Sequence, residues 1–187
     1  MPKIVKDEEI YQAVIHVVGE RGFAGATTKQ MAEAANISEV TLFRKYENKN
    51  QLIKRAITAI IAKTDFAAAS RFTGDVAADL LRVVRAYQDS AVKHGQLIFI
   101  LLSEMPRYPE LAELLDAPYE MYTGIGELIG QYQSEGVLQE EHPLHAVSAL
   151  LGPLIYAAMM RSAMPGAELP PLDLLHHINL FLEGRRV

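Results

Sequence analysis

The chain has 187 residues, half of them apolar and 22% charged, which is enough to bury a sizeable core as one helical body or as a small head on a larger body. Because it contains no cysteine, disulfide frameworks and cysteine-based zinc sites are excluded, and its six histidines show no HExxH spacing. The net charge of −5 is uneven, since residues 1–63 hold ten Lys and Arg against seven Asp and Glu, whereas residues 64–187 hold eight against sixteen.

The first predicted helix covers residues 8–21. Apolar residues recur from Ile10 to Val18 at spacings of three and four, which places them on one buried face. Gly22 is expected to end this helix, and Phe23 to fill the small core between the first three helices. The N-terminal segment is therefore predicted to pack as a small helical head.

The next stretch carries three signals for helix starts. Thr27 or Thr28, Ser38 and Asn48 are N-cap candidates, because their side chains can accept a hydrogen bond from backbone amides of the first turn. Asn36 lies where the chain must leave the first short helix, and asparagine tolerates the left-handed conformation better than most residues. The stretch is therefore predicted to form two short helices at a sharp angle, followed by the start of a longer one.

The second short helix is expected to run from Glu39 to Tyr46. Its apolar residues Val40 and Phe43 are expected to face the first short helix. The polar residues expected to point outward are Thr41, Arg44 and Lys45. A helix, a turn with a left-handed residue and a second helix with a polar outer face are typical of a helix-turn-helix that reads DNA.

The rest of the chain also shows helical periodicity, without strand-like alternation. A fourth helix is predicted over residues 49–69, where pairs of apolar residues recur every four positions, and it is long enough to leave the head and pack on the body. Further helices are predicted over residues 75–93, 96–105, 108–135 with a break near Pro118, 143–164 with Pro153 inside, and 171–183. The predicted fold is all-α, with about nine helices: a three-helix N-terminal head joined by the long fourth helix to a helical body.

Many ordered positions in the first third of the chain follow one pattern: Gly22-Phe23, Thr27-Thr28, Met31-Ala32, Ala35-Asn36-Ile37-Ser38, Thr41-Leu42-Phe43, Tyr46, Asn48-Lys49 and Leu52. This pattern resembles the N-terminal domain of TetR-family (tetracycline-repressor-type) regulators. The sequence departs from the family at four places, with Asn36 for the usual Gly, Val40 for a small residue or Pro, Phe43 for Tyr and Lys45 for His. The last two changes remove two phosphate contacts common in the family, and Lys45 could supply one of them instead.

The resemblance implies which residues contact DNA. The residues expected to face bases or sugar-phosphates are Glu39, Val40, Thr41 and Arg44. The residues expected to hold phosphates are Thr28, Lys45, Tyr46 and Lys49. Simpler interpretations stay open: Arg44 and Lys45 as an ordinary solvated face, Glu39 as a favourable charge at a helix N-terminus, and Tyr46 as a core residue.

A homodimer is expected, because one head contacts only a few base pairs and two heads ~34 Å apart would read a palindromic operator. The last two helices carry more apolar residues than one buried stripe needs, which favours them as the dimer seam. The seam residues expected are Leu151, Leu154, Ile155, Ala158, Leu174, Ile178 and Phe181. The alternative is that both helices are simply buried within the subunit.

Soft and aromatic residues are concentrated in the middle helices, and such residues often line apolar ligand cavities. The residues expected to contact a small-molecule effector are Tyr87, Phe99, Met105, Tyr108, Tyr119, Tyr122, Tyr156 and Met160. For any one of them, ordinary core filling is the alternative, but the resemblance implies a pocket between residues 80 and 160. Glu104, Arg107 or Arg161 could supply its polar contacts, or form surface ion pairs.

The resemblance assigns residues 1–48 to a helix-turn-helix DNA-binding domain, 49–70 to a connecting helix and 71–187 to a ligand-binding and dimerisation domain. It implies a dimeric transcriptional repressor released from its operator by a small apolar or amphipathic molecule. The alternative is a ligand-binding co-regulator of the same fold that does not read DNA. The fourth helix is expected to transmit the response from body to head.

An enzyme is the weakest hypothesis, since the sequence has no cysteine, no GxSxG, no phosphate loop and no metal-ligand spacing. His176 and His177 lie near Asp173, but adjacent residues point to different helix faces, so one solvated and one packed histidine is expected. No cofactor is expected. The polar N-terminus lacks a secretory signal and the longest apolar run, residues 97–102, is too short to span a bilayer, so a cytoplasmic location without membrane contact is expected.

Overall fold

The structure is a computed structural model that describes residues 5–164, 166 and 169–187. Over these residues it forms nine α-helices and one 3-10 helix, and no strand, which confirms the predicted all-α fold. The α-helices are α1 Asp7–Gly25, α2 Thr28–Ala34, α3 Glu39–Tyr46, α4 Lys49–Lys63, α5 Phe66–Ala69, α6 Val76–Glu104, α7 Asp116–Ser134, α8 Pro143–Ala163 and α9 Leu174–Glu183; the 3-10 helix is Pro109–Leu115.

The helices pack as two compact units. Unit 1 comprises Met1–Lys63 with Gln96–Ala117, and unit 2 comprises Thr64–Gly95 with Pro118–Val187. Helix α4 therefore lies wholly in unit 1, whereas α6 contributes residues to both units, and α7 has only its first two residues, Asp116 and Ala117, in unit 1. This division reflects packing contacts alone and says nothing about function. The assignment of functions to residues 1–48, 49–70 and 71–187 therefore stays a prediction.

Unit 1 is built around a core shared by its first four helices and its second segment. Val14, Val18 and Leu52 are buried in one cluster together with Leu101 and Leu111 from the second segment. The sequence did not predict that residues after 95 complete the core of the head, because the contacts join positions far apart along the chain.

Helix α1 continues to Gly25 although Gly22 was expected to end it, and Gly22 lies inside it in a non-helical conformation, with a φ of 71° and a ψ of 171°. Three further differences from the predicted helices each have a local reason. Helix α4 ends at Lys63 rather than near residue 69, because the Asp65 carboxylate accepts a hydrogen bond from the Ala68 amide at 2.9 Å and starts α5. Helix α6 continues through Gly95 as one helix instead of two, since glycine weakens a helix by only about 1 kcal/mol and keeps its backbone donor. Helix α9 begins at Leu174, where Asp173 rather than a proline provides the start.

Unit 2 has its own core, to which α6, α7, α8 and α9 contribute. Within the described residues one helix, Pro143–Arg161, is long and apolar enough to cross a membrane by length and composition, and 33% of that window is buried in the structure. Core helices of globular proteins meet the same criterion, and Val147 and Leu150 of this helix are fully buried in the unit 2 core. We therefore interpret α8 as a core helix with a partly uncovered outer face.

Candidate functional site

Helices α2 and α3 are joined by the predicted turn, and each cap is formed by the predicted kind of residue. The Thr27 hydroxyl accepts from the Gln30 amide, and the Gln30 side chain accepts from the Thr27 amide at 3.0 Å, which forms a capping box. Asn36 has a φ of 55°, in the left-handed region, and Ser38 caps α3 by accepting from the Thr41 amide at 3.2 Å. These contacts confirm the helix-turn-helix geometry predicted from the sequence.

The orientation of α3 differs from prediction. The residues that pack into unit 1 are Leu42 and Tyr46, each 1% exposed, one helical turn apart. Val40 is 78% exposed and Phe43 is 44% exposed, so the prediction that these two face the first short helix is wrong. Once Leu42 and Tyr46 turn inward, the spacing of the helix forces Val40 and Phe43 outward, on the side of Arg44.

Two of the predicted DNA contacts, Thr28 and Glu39, bind each other. The Thr28 hydroxyl donates to Glu39 Oε1 at 2.6 Å, so that the start of α2 is tied to the start of α3. A hydroxyl that donates to a carboxylate must break that bond before it donates to a phosphate. The pair therefore stabilises the angle between the two helices in the unbound protein.

Lys45 and Tyr46 are the last two residues of α3, and they lie in different environments. The exposed Lys45 ammonium donates to Asp7 Oδ1 at the start of α1. Tyr46 is buried with its ring centroid 5.9 Å from that of Tyr11, and burial raises the pKa of its hydroxyl well above the ordinary value. Tyr46 is thus the core residue that the sequence left open as an alternative, and we leave it out of the interface proposed below.

Lys49 lies at the start of α4 against the head core. Its ammonium donates to the Phe23 carbonyl and stands 4.1 Å from the centroid of the Phe23 ring. Burial lowers the pKa of Lys49, while the nearby Glu104 carboxylate opposes that shift. The side chain is therefore a structural contact in the unbound protein as well as a candidate phosphate contact.

Glu104 has a role that sequence reasoning missed. Its carboxylate accepts from the backbone amides of Phe23 at 3.2 Å and Ala24 at 3.1 Å, which are 81 and 80 residues away along the chain. Gly22 has a φ of 71°, and a Cβ at this position would clash with Glu104 Oε1. The sequence predicted that Gly22 ends the first helix. The hydrogen bonds between the Glu104 carboxylate and the amides that follow Gly22 are seen only in the tertiary structure.

The predicted effector residues are divided between the two units. Tyr87, Tyr119, Tyr122, Tyr156 and Met160 belong to unit 2, whereas Phe99, Met105 and Tyr108 belong to unit 1. Tyr108 packs on Phe23 with ring centroids 5.7 Å apart, which is a core contact of the head. Which of these residues line a pocket stays a prediction.

Tyr87 and Tyr122 are partly buried and form a polar pair packed against the apolar cluster of unit 2. Their hydroxyl oxygens are 3.3 Å apart and their rings meet edge to face at 6.4 Å. Burial raises the pKa of both hydroxyls, and neither shift has a charged residue among its causes. The pair therefore offers neutral hydrogen-bonding groups in apolar surroundings, as an apolar or amphipathic ligand would require.

The predicted seam residues contribute mostly to the core of their own subunit. Leu151, Leu154, Ala158, Ile178 and Phe181 are buried, and only Ile155 and Leu174 of the seven are partly exposed. The exposed apolar side chains on the same two helices are Tyr156 on α8, and Leu175 and Leu180 on α9. An interface on this helix pair would be formed by these outer residues.

The two adjacent histidines divide as predicted. His177 Nε2 lies 2.8 Å from the Leu150 carbonyl, whereas His176 is exposed. Across the described part of the chain, no group of three or more His, Cys, Asp or Glu side chains is arranged to hold a metal ion.

Comparison with known proteins places this geometry among regulators. Residues 10–56 match the family described as bacterial regulatory proteins, tetR family. The HTH-type transcriptional regulator YvkB of Bacillus subtilis (strain 168) is 23% identical over 191 residues, covering 95% of this chain and 96% of that protein. Among solved structures, the fatty acid degradation regulator FadR from Bacillus halodurans has a TM-score of 0.75 at 18% identity, covering 95% of this chain and 96% of its own. The flavonoid-responsive regulator FrrA has a TM-score of 0.62 at 19% identity, covering 96% of both chains.

Proposed function

Because this chain belongs to the tetR family of bacterial transcriptional regulators and carries its DNA-binding helix-turn-helix, we propose that it is a homodimeric repressor of a palindromic operator. A small apolar or amphipathic molecule releases it from DNA, and it acts in the cytoplasm. The family and the relative YvkB are transcriptional regulators rather than enzymes, which agrees with the class expected from the sequence.

The observation that carries the DNA-binding proposal is the match of residues 10–56, within which α3 presents an exposed arginine. Arg44 stands on the outer face of α3, where a guanidinium can pair with a guanine edge in the major groove. The residues we assign to bases or sugar-phosphates are Glu39, Val40, Thr41 and Arg44. The residues we assign to phosphates are Thr28, Lys45 and Lys49.

Duplex binding measured over a range of salt concentrations tests this assignment, because each neutralised phosphate makes affinity fall more steeply with salt. Arg44→Ala should alter sequence preference and weaken specific binding by about 1–3 kcal/mol. Lys45→Ala should weaken all duplexes alike and reduce the salt slope. Arg85→Ala, at an exposed position of α6, is the matched control and should change neither. Negligible effects of both head variants would contradict the proposal.

We place the dimer seam on the outer faces of α8 and α9, which pack together in unit 2. Support comes from Leu175 and Leu180, both exposed on α9, and from the apolar outer face of α8. Replacing both leucines with glutamate should yield a monomer in sedimentation velocity, whereas Leu102→Glu, at an equally exposed leucine of α6, should leave the dimer intact. A single subunit for the unaltered protein would refute the dimer.

We place the effector site in unit 2, around the hydroxyls of Tyr87 and Tyr122. The names of two structural neighbours, a fatty acid degradation regulator and a flavonoid-responsive regulator, favour apolar and amphipathic molecules as the first candidates. Titration of fatty acids and of flavonoids against a labelled duplex should reveal release, with a coupling of about 1–3 kcal/mol. Tyr87→Phe should weaken release while leaving duplex binding without effector unchanged.

The response must pass from unit 2 to the head, and the structure changes which helix we assign to it. Helix α4 lies in unit 1 alone, whereas α6 contributes residues 76–95 to unit 2 and 96–104 to unit 1. Because α7 contributes only Asp116 and Ala117 to unit 1, we propose α6 as the connecting element. An effector that binds better to one arrangement of α6 would shift the population of head positions that can bind an operator.

The alternative, a co-regulator that does not read DNA, has two observations in its favour. Phe43 lacks the hydroxyl usual in the family, and Lys45 is engaged by Asp7. If the protein bound every duplex of a random pool weakly, and with an affinity that did not depend on salt, this alternative would be favoured.

A further inference from the structure

Helix α3 exposes two large apolar side chains on the face that carries Arg44. Val40 is 78% exposed and Phe43 is 44% exposed, and the two lie three positions apart, so they are neighbours on the helix surface. Both belong to a helix of only eight residues whose inward face is formed by Leu42 and Tyr46. The outward face of α3 therefore carries two neighbouring apolar side chains together with Arg44.

An exposed apolar residue standing alone is ordinary on a protein surface. Two neighbours on the outer face of the second helix of a helix-turn-helix are different, because that face is the one that enters the major groove. Water solvates this face poorly, and neither side chain can donate or accept a hydrogen bond. Whatever Val40 and Phe43 recognise must therefore be apolar.

The major groove exposes one apolar group on its base edges, the C5-methyl group of thymine. We propose that Val40 and Phe43 are specificity-determining residues that read thymine C5-methyl groups next to a guanine bound by Arg44. This inference rests on the proposed DNA-binding function and adds to it the base that the operator must contain. Binding brings the two side chains against methyl groups and removes both from water, which favours thymine over cytosine.

The surroundings of the face fit DNA rather than an apolar protein surface. Arg44 and Lys45 follow Phe43 directly and are exposed, and Lys29 on α2 is exposed as well. Of the two carboxylates nearest in sequence to Phe43, Glu39 accepts from the Thr28 hydroxyl, and Glu47 is exposed just after the end of α3. A small apolar patch beside exposed cations matches a methyl group in a groove lined with phosphates.

The test uses the full chain and a duplex selected from a random pool for tight binding. Each thymine of that duplex is replaced in turn by deoxyuridine, which removes only the C5-methyl group and keeps base pairing. We expect at least one position in each half-site at which the unaltered protein binds about fourfold more weakly, the effect of burying one methyl group. Deoxyuridine at other thymine positions of the duplex should leave the affinity unchanged.

Two variants connect the methyl effect to its residues. At one of the sensitive positions, Val40→Ala should bind the thymine duplex and the deoxyuridine duplex with equal affinity. Phe43→Ala should do the same at another sensitive position. In both variants the dependence of affinity on salt should remain that of the unaltered protein. Since both side chains are exposed, neither change should lower the midpoint of thermal unfolding by more than a few degrees. Leu102→Ala, at an exposed leucine outside the helix-turn-helix, should keep the full preference for thymine.

The outcomes separate this inference from the function on which it rests. Salt-dependent duplex binding without any effect of uridine would overturn methyl reading and leave DNA binding standing. A uridine effect that persists unchanged in both variants would also overturn it, since other residues would then read the methyl groups. Absence of binding to every duplex in the pool would overturn the proposed function itself.

Discussion

Helix α6 carries a carboxylate near each end, and each carboxylate accepts hydrogen bonds from backbone amides in a different unit. Near its start, the buried Asp79 accepts from the Thr73 amide at 2.7 Å, the Thr73 hydroxyl at 2.6 Å and the Tyr132 hydroxyl at 2.5 Å, with Arg82 at 2.9 Å. Its last residue, Glu104, is partly exposed and accepts from two backbone amides, at 3.2 Å and 3.1 Å.

The difference between the two sites lies in burial and in the number of partners. Burial alone would raise the pKa of Asp79, but the hydrogen bonds from Thr73, Tyr132 and Arg82 together outweigh it and hold the pKa below its ordinary value. Water can replace the partners of Glu104 more easily, because part of that side chain remains exposed. A buried, fully bonded carboxylate makes a rigid part of the framework, whereas an exposed one makes a contact that can open.

The largest effect is expected at the buried site. Asp79→Asn should lower the free energy of unfolding of unit 2 by about 3–4 kcal/mol, because it removes the partner of Arg82 and leaves buried donors unsatisfied. Urea denaturation measures the loss, with Asp89→Asn, at an exposed position of the same helix, as the control. A loss below about 1 kcal/mol would show that the two ends of α6 do not differ in the way we infer.

Acid provides a second measurement on the same pair of proteins. Because the pKa of Asp79 is lower in the folded state, its contribution is fully present above the unfolded pKa of about 3.9 and is lost as pH falls through the folded value. The stability difference between the unaltered protein and Asp79→Asn should therefore narrow below about pH 4. A difference that stays constant down to pH 2 would contradict this assignment.

The second effect concerns the close approach at the other end of α6. Gly22→Ala should destabilise unit 1 by about 2 kcal/mol, because its φ of 71° and ψ of 171° are strained for alanine and the added Cβ would meet the Glu104 carboxylate. Combining it with Glu104→Ala should recover part of that loss. Gly124→Ala, where nothing lies within 4 Å of an added Cβ, should cause no such loss.

A smaller effect is expected when the charge of Glu104 is removed. Glu104→Gln should cost about 1 kcal/mol, because one of two carboxylate oxygens is replaced by an amide that cannot accept from a backbone amide. Thermal unfolding measures the change, and Glu110→Gln, at an exposed position in the 3-10 helix, serves as the control. A loss as large as that of Asp79→Asn would remove the contrast between the two sites.

The smallest effect is expected from the cation beside Glu104. Lys49→Gln should change the free energy of unfolding by less than about 1 kcal/mol, because burial already disfavours the charge of Lys49. Arg82→Gln, the equivalent change beside Asp79, should cost clearly more, since Arg82 donates to two carbonyls, those of Ala69 and Arg71, whereas Lys49 donates to one, that of Phe23. Equal losses from the two variants would indicate that both carboxylates depend on their cations to the same extent.

Much of the helix-turn-helix could be predicted from the sequence because its geometry depends on hydrogen bonds over three or four residues. Thr27 and Ser38 cap their helices through amides three positions ahead, and Asn36 adopts the left-handed turn. The direction of the α3 face could not be predicted in this way. Val40, Leu42 and Phe43 are all apolar, and only packing against the rest of unit 1 selected Leu42 for burial.

The amino-acid sequence by itself determined the all-α class, the caps of α2 and α3 and the helix-turn-helix, since these depend on periodicity and on neighbours along the chain. Tertiary structure alone decided that Glu104 holds the backbone after Gly22, and that Val40 and Phe43 face solvent. The physical reason is distance along the chain. A carboxylate and an amide 81 residues apart leave no local pattern, and which apolar residue of a short helix is buried depends on the surface that it meets.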